Sequence, residues 1–453
     1  MLARSSLLCL GRHTLTGLLS TCGQQFSDWS AAYRLFERGR FEPQDLFDTA
    51  LRTGTGLCNA HTPVVAALDD TLLPKRGRKV AGTGWRRDPL GPPFQANLIW
   101  SQRFIQCSLL VPQSGTLSPG PARAIPVTFH HAPSARKPSR NASQSTWEQY
   151  KDDQRTLCLS QQGVEQLRAL RTRLDTCAEG QDRQLLVCVD GSYTNKTVLK
   201  HIPERTTVIG RIRKDCKLYA LPEAQEHGRG RRRSYGKRLP TPEELLKDQS
   251  VPWHSVKAYA AGKLYSFDIK SLSPVRWRAA GEDRNLRVVV MRPVAYRTRK
   301  DEKRLYRRPA YLICTDPTLD EQQLVQAYLW RWEIEVNFRD QKTVLGVGQA
   351  QMRTEASATA MPQFQVATYG LVLLAHRIVG ANIQELPLPL WRKGNMQQRR
   401  RASLQDLIRI LRTEQWGKAM GLENYSGFVQ HLGNDMKPEK ITNHLLGAIC
   451  YAM

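Results

Sequence analysis

Acidic residues are scarce in this sequence: 41 Asp plus Glu stand against 67 Lys plus Arg, a formal net charge of +26 over 453 residues. A chain this basic attracts polyanions over long range, and releasing counterions from phosphates makes nucleic acid the foremost partner. Long apolar runs are also missing. No stretch approaches the roughly 18 residues that a membrane helix needs, so no membrane association is expected. Zinc-type spacing is absent: the ten cysteines form no matched Cys-x-x-Cys pairs, and no histidine pairs flank them. With no secretory signal in view, a disulfide framework is not expected and the cysteines read as free thiols in a reducing cytoplasm. No internal repeat is visible.

What is present is a globular balance, 41% hydrophobic and 24% charged, long enough for two or three domains with sizeable cores. Met1 to Ser27 contains no acid and carries Arg4, Ser5, Ser6 and Arg12. That weakly resembles an organellar transit peptide, but Arg12 to Leu19 keeps helical spacing and reads as a basic first helix. Residues 1–60 form a helical region, with Tyr33, Phe36, Leu46, Phe47 and Leu51 near helical spacing and Pro43 opening a helix.

From residue 61 the pattern changes. Val64 to Leu68 is a short apolar run that stops at Asp69-Asp70-Thr71, as a buried strand ends. Gln95–Trp100 and Phe104–Val111 are strand-like, residues 113–145 read as loop, and 146–180 as a helix. Leu185 to Val189 is a second apolar strand, closed by Asp190-Gly191, and Val208 to Ile212 a third. Between 214 and 310 a Gly/Arg-rich loop at Gly228–Arg238 is followed by β-type alternation in Val256–Ile269 and Leu286–Met291. Tyr311 to Cys314 restores the buried-strand style. A long helix spans about 320–344, and the remainder is helical and basic, with a charge run at Arg399-Arg400-Arg401. The resulting division is 1–60, 61–213, 214–310, 311–385 and 386–453, in an α/β fold.

Chemistry concentrates in two strand ends and one helix. A lone aspartate at a strand end is usually a turn residue. In the helix, however, steps of about 100° per residue place Tyr328, Arg331, Glu335 and Lys342 on one narrow stripe. It mixes an aromatic, two cations and a carboxylate, where a core face would be apolar. Alone, Arg331 and Glu335 are an i,i+4 ion pair on a solvated helix.

The spacing Tyr-x2-Arg-x3-Glu-x6-Lys, met without a gap by Tyr328, Arg331, Glu335 and Lys342, resembles the signature of bacterial insertion-sequence transposases of the DDE type. Asp69-Asp70-Thr71 resembles that family's Asp-x-Thr, and Asp190-Gly191-Ser192-Tyr193 its second aspartate motif. The resemblance implies a ribonuclease-H-like α/β core. A β-rich insertion would lie between the second Asp and the Glu, with helical regions at both ends. It also implies a transposase that cuts and joins DNA. The catalytic and metal-binding triad would be Asp69, Asp190 and Glu335, with Mg²⁺ as cofactor and Mn²⁺ as a possible substitute.

The doublet leaves Asp69 and Asp70 both open, since period-2 alternation lets only one face the metal; the motif match selects Asp69. Arg331 and Lys342 would contact phosphates, and Tyr328 would stack or hydrogen-bond on DNA near the cut. Lys75 and Arg76, in the basic run Lys75 to Lys79, would grip the backbone. Trp330 and Trp332 read as core, and the His130-His131 pair as inert. The partners implied are double-stranded DNA, both terminal inverted repeats and target, and a second copy of the chain on paired ends, in a cytoplasmic, nucleoid-associated setting. Two other readings share the residues: a structure-specific nuclease on the same core, and a DNA-binding protein that has lost or abandoned catalysis.

Overall fold

A computed structural model describes residues 1–88, 91–92, 94–95, 97–223, 233–297, 302–379 and 401–419. Residues 228–232 of the Gly/Arg-rich loop, Arg399-Arg400 and most of the 386–453 region lie outside the described residues. The strands are β1 Val64–Pro74, β2 Gly84–Arg87, β3 Leu98–Pro112, β4 Ala122–His131, β5 Leu185–Val189, β6 Thr206–Arg211, β7 Leu218–Tyr219, β8 His254–Ala260, β9 Lys263–Trp277, β10 Leu286–Met291, β11 Ala295–Tyr296, β12 Leu305–Tyr306 and β13 Ala310–Cys314. The helices are α1 Leu2–Leu8, α2 Leu15–Thr21, α3 Ser30–Glu37, α4 Pro43–Gly56, α5 Gln144–Thr156, α6 Leu159–Asp175, α7 Lys196–Lys200, α8 Pro242–Lys247, α9 Glu321–Trp330, α10 Trp332–Thr343, α11 Glu355–Val379 and α12 Leu404–Ala419. None of the described helices is long and apolar enough to cross a membrane.

The chain divides into two compact units. The first comprises Met1–Ala50, Leu73–Gln102 and Asn337–Met453, the second Leu51–Leu72 and Arg103–Val336. In the first unit, Leu2, Leu15, Leu18, Leu19 and Phe36 share one core with Met352, Met361 and Phe364. Phe364 meets Phe36 and Phe41 edge-on, with ring centroids 5.6 and 5.7 Å away, an arrangement that aromatic quadrupoles favour. The N-terminal helices thus fold with residues more than 300 positions later, which a reading along the chain keeps apart.

The second unit is built on a mixed sheet in the order β3-β1-β5-β6-β13-β10-β9-β7, with β4 on β3 and β8 on β9. β1, β5 and β6 run parallel, Leu68 pairing Val189 and Val189 pairing Gly210. β5 is buried along its whole length, which is why it is written as an unbroken apolar run. β13 then pairs β6 antiparallel, Leu312 opposite Arg211. β10, β9 and β7 carry the same sheet onward, so the β-rich stretch extends the sheet. Helix α9 packs on β4, β5, β6 and β8 through buried Leu324, Val325, Ala327 and Trp330.

Four details depart from the sequence reading. The stretch 113–145 contains a strand, β4, whose pairing with β3 shifts register between Cys107 and Ser108 beside Pro126. A proline inside a strand is tolerated at such a bulge but lowers the strand signal. The expected helix over 146–180 is two helices, α5 and α6. The expected helix over 320–344 breaks at Arg331, where the amides of Arg331 and Ile334 donate to carbonyls three residues back, Tyr328 and Arg331, a tighter turn than the α-helix makes. Trp332, just past the break, is 62% exposed, whereas Trp330 is buried and its indole N–H donates to the Gly120 carbonyl at 2.7 Å.

Candidate active site

β1 and β5 are parallel neighbours in register, Leu68 beside Val189, and each apolar run stops at the same level. The next residue after each run is an aspartate, Asp69 within β1 and Asp190 just past β5. Carboxylates cannot continue a buried run without strong desolvation cost, and both stand where the pairing of β1 with β5 ends; β1 itself runs on to Pro74, past the strand end expected at Asp69. The turn after β5 is fixed by Asp190 itself. Its carboxylate accepts from the Ser192 amide at 2.8 Å and hydroxyl at 3.2 Å, and its carbonyl accepts from the Thr194 hydroxyl at 2.8 Å. Gly210 on β6 makes room for this turn. A Cβ there would meet the Thr194 hydroxyl oxygen at 2.1 Å and a Val189 methyl at 2.8 Å.

Alternation along β1 separates the two candidates of the doublet. Asp69 lines a cavity of about 1050 Å³ together with Asp190, Arg331 and Glu335. Asp70 does not line it; its carboxylate accepts from the Tyr193 hydroxyl at 3.2 Å. Burial pushes Asp69 up to about 7, reinforced by the charge of Asp190 and opposed by Arg331. Asp70 is also raised, first by burial, with Arg103 opposing.

Arg331 ties the site together. One nitrogen of its guanidinium donates to Asp69 at 3.2 Å and the other to Glu335 at 2.8 Å. The fork is only 13% exposed and its carbon lies 5.8 Å from the centre of the Tyr328 ring. Burial raises the Tyr328 phenol above its ordinary value, so it stays neutral. Of the eight residues singled out in sequence, the second unit therefore brings together five: Asp69, Asp190, Tyr328, Arg331 and Glu335.

The other three belong to the first unit and do not line this cavity. Lys342 is half-buried in the last turn of α10 and Arg76 is exposed. Lys75 is corrected: it is 6% exposed, and its ammonium donates to the carbonyls of Gly348 and Ala350 at 2.9 Å each. Those carbonyls satisfy a charge that burial would otherwise expel, and the burial turns the ammonium away from solvent.

Sequence reasoning missed the basic wall of the cavity, formed by Arg211, Arg213, Lys214 and Arg308, with Trp277 and Tyr311. Arg213 pairs Asp215 and Lys214 pairs Glu243. Arg211 and Arg308 are exposed and, among the described residues, neither has a carboxylate partner. A signal was available: Arg211 ends β6 as Asp190 ends the adjacent parallel strand β5.

A cavity lined by Asp69, Asp190 and Glu335 and also by Arg211 and Arg308, which among the described residues have no carboxylate partner, suits a phosphodiester, whose anionic oxygens seek the cations. No match was found among curated proteins. Residues 1–284 match the family described as DDE superfamily endonuclease. With more than half of its length matched, this chain belongs to the DDE superfamily endonucleases.

Proposed function

We propose that the chain is a DNA transposase of the insertion-sequence type. It would bind the terminal repeats of its element and cut and rejoin DNA at the site formed by Asp69, Asp190 and Glu335. The observation that carries this reading is that those three carboxylates line one cavity together with the exposed Arg211 and Arg308. The core would be ribonuclease-H-like, with the stretch between β6 and β13 as its β-rich insertion.

The donor set suits a hard cation, since Mg²⁺ prefers carboxylate oxygen and water. Its assembly does not suit one as it stands. Among the described residues no three acid, histidine or cysteine side chains are grouped to hold an ion, and two of the three carboxylates are spent on Arg331. A bound Mg²⁺ would supply Lewis-acid polarisation of the phosphoryl oxygen.

The chain's own residues do the rest. Arg211 and Arg308 hold the phosphates flanking the scissile bond, and a guanidinium fork matches the spacing of phosphate oxygens. Tyr328, neutral and half-buried, offers a face for a base. The two Ser192 contacts hold the Asp190 carboxylate, and the Thr194 hydroxyl holds its main-chain carbonyl, which matters because small misplacement at a reacting centre is costly in rate. Water is the nucleophile in strand cleavage and a DNA 3′-hydroxyl in joining, so no covalent link between protein and DNA forms.

The test uses DNA carrying the flanking ends of the element. The native chain nicks it at the ends only when Mg²⁺ is added, and Glu335→Gln binds the same DNA without cutting. Cleavage by Glu335→Gln at the native rate would sink the triad. Equal binding without cleavage by either chain would leave a DNA-binding protein in place of an enzyme.

A further inference from the structure

Arg331 stands in an unusual place for a phosphate contact. Its two guanidinium nitrogens are divided between Asp69 and Glu335, at 3.2 and 2.8 Å, so it bridges the acids that would have to converge on a metal. A planar fork with two donors spends its hydrogen bonds on those oxygens in their lone-pair directions, the directions a cation also needs. The same fork also fits a phosphate. The cavity it faces holds the exposed Arg211 and Arg308, which would draw a DNA backbone towards it.

We propose that Arg331 is a DNA-operated latch on the metal site. Without DNA it bridges Asp69 and Glu335 and keeps the carboxylates from collecting on an ion; when a phosphate enters the cavity it exchanges these partners for phosphate oxygens and frees them. The proposal rests on the triad reading given above. It makes metal binding and DNA binding cooperative through one side chain with two exclusive sets of partners. Each ligand then favours the arrangement the other needs, and the coupling is reciprocal. A basic protein carrying a ready-made metal centre would risk hydrolysing whatever polyanion it met. A latch confines the assembled centre to DNA seated in the cavity.

Mn²⁺ is the probe, its free ion counted by electron paramagnetic resonance, with the full chain alone and on duplex DNA. The native chain should bind Mn²⁺ weakly alone and more tightly on DNA. Arg331→Ala should bind Mn²⁺ without DNA about tenfold tighter than native or better, the ratio for a competent arrangement populated at about one part in ten. Added DNA should then improve it little. Adding Glu335→Gln to that variant should erase the gain, which locates it at the triad. Arg308→Ala removes a cation from the same cavity without touching the bridge, and should change Mn²⁺ affinity less than about twofold. If Arg331→Ala does not fold, Arg331→Lys serves, because a single ammonium lacks the fork and its gain should have the same sign.

Equal Mn²⁺ affinity of native and Arg331→Ala without DNA overturns the latch, as does an equal gain from Arg308→Ala. If the native chain fails to bind Mn²⁺ even on DNA, the triad reading falls instead, and the two failures are told apart by that one titration.

Discussion

Two buried cations in the second unit make opposite uses of their charge. Arg331, in the cavity, is held by two side-chain carboxylates. Lys270, on β9, is 1% exposed; its ammonium donates to the carbonyls of Leu245, Leu246 and Asp248 and lies 4.5 Å from the centre of the Trp253 ring. Backbone carbonyls are fixed neutral acceptors that leave the ammonium no alternative, so Lys270 fastens α8 to the sheet permanently. Carboxylates are ionic partners that another cation can claim, and a guanidinium is a partner that another anion can claim. The difference teaches that a buried charge is structural when its partners are backbone and exchangeable when they are side chains. Lys75 repeats the Lys270 arrangement in the first unit.

The largest effect is expected at the cavity. Asp190→Asn keeps the turn acceptor but not the charge, and should lower DNA cleavage by about a thousandfold or more on the scale of lost electrostatic stabilisation at reacting centres. Far-ultraviolet circular dichroism should be unchanged. Retained cleavage would place the chemistry elsewhere. At Lys270 the pattern should invert. Lys270→Met strips carbonyls of their donor and should destabilise the fold by about 2–4 kcal/mol in urea titration, leaving Mn²⁺ affinity on DNA intact in the folded fraction. A Lys270→Met protein as stable as native would refute its structural role.

Lys75 sharpens the comparison through pH. Burial lowers its ammonium from 10.5 to about 8, so the unfolded chain holds the proton more tightly than the folded one. The stability due to Lys75 is therefore complete above 10.5 and is lost as pH falls through about 8. Native minus Lys75→Met stability should rise between pH 8 and 10.5, by at most about 3 kcal/mol at 1.36 kcal/mol per pKa unit. A flat difference across that window would show that its two carbonyl partners fully offset burial. The smallest effect is expected at the doublet: Tyr193→Phe removes one hydrogen bond to Asp70 and should cost about 1 kcal/mol. Cleavage should stay within a few-fold of native, because Asp69, not Asp70, faces the cavity. A collapse of cleavage would transfer the role to Asp70.

Much of this site was legible in the sequence, for a physical reason. Parallel strands buried on both faces are written as unbroken apolar runs, so the aspartates that follow those runs stand out, although β1 itself continues past Asp69 to Pro74. The spacing of Tyr328, Arg331 and Glu335 survived because it was read as identities at fixed distances. The helix built on it did not, since the turn at Arg331 is made by main-chain bonds that leave no pattern. Lys75 was misread because a basic run does not say which of its members is buried. β4 was lost to its proline, and Arg211 because a cation at a strand end draws less notice than an acid. The union of the N-terminal helices with α11 rests on contacts across the chain, for which local periodicity carries no information.

The pairing of Leu312 with Arg211 has a bearing on how such proteins diversify. The chain leaves β6 and returns one strand over at β13, so the long excursion between, which adds β10, β9 and β7 to the same sheet, has its two ends already joined. Enlarging a loop with fixed ends adds little entropy cost, growing only with the logarithm of its length. A lineage could therefore lengthen or shorten the turns of that excursion while the pairing of β1, β5, β6 and β13 holds the strand ends in the same place.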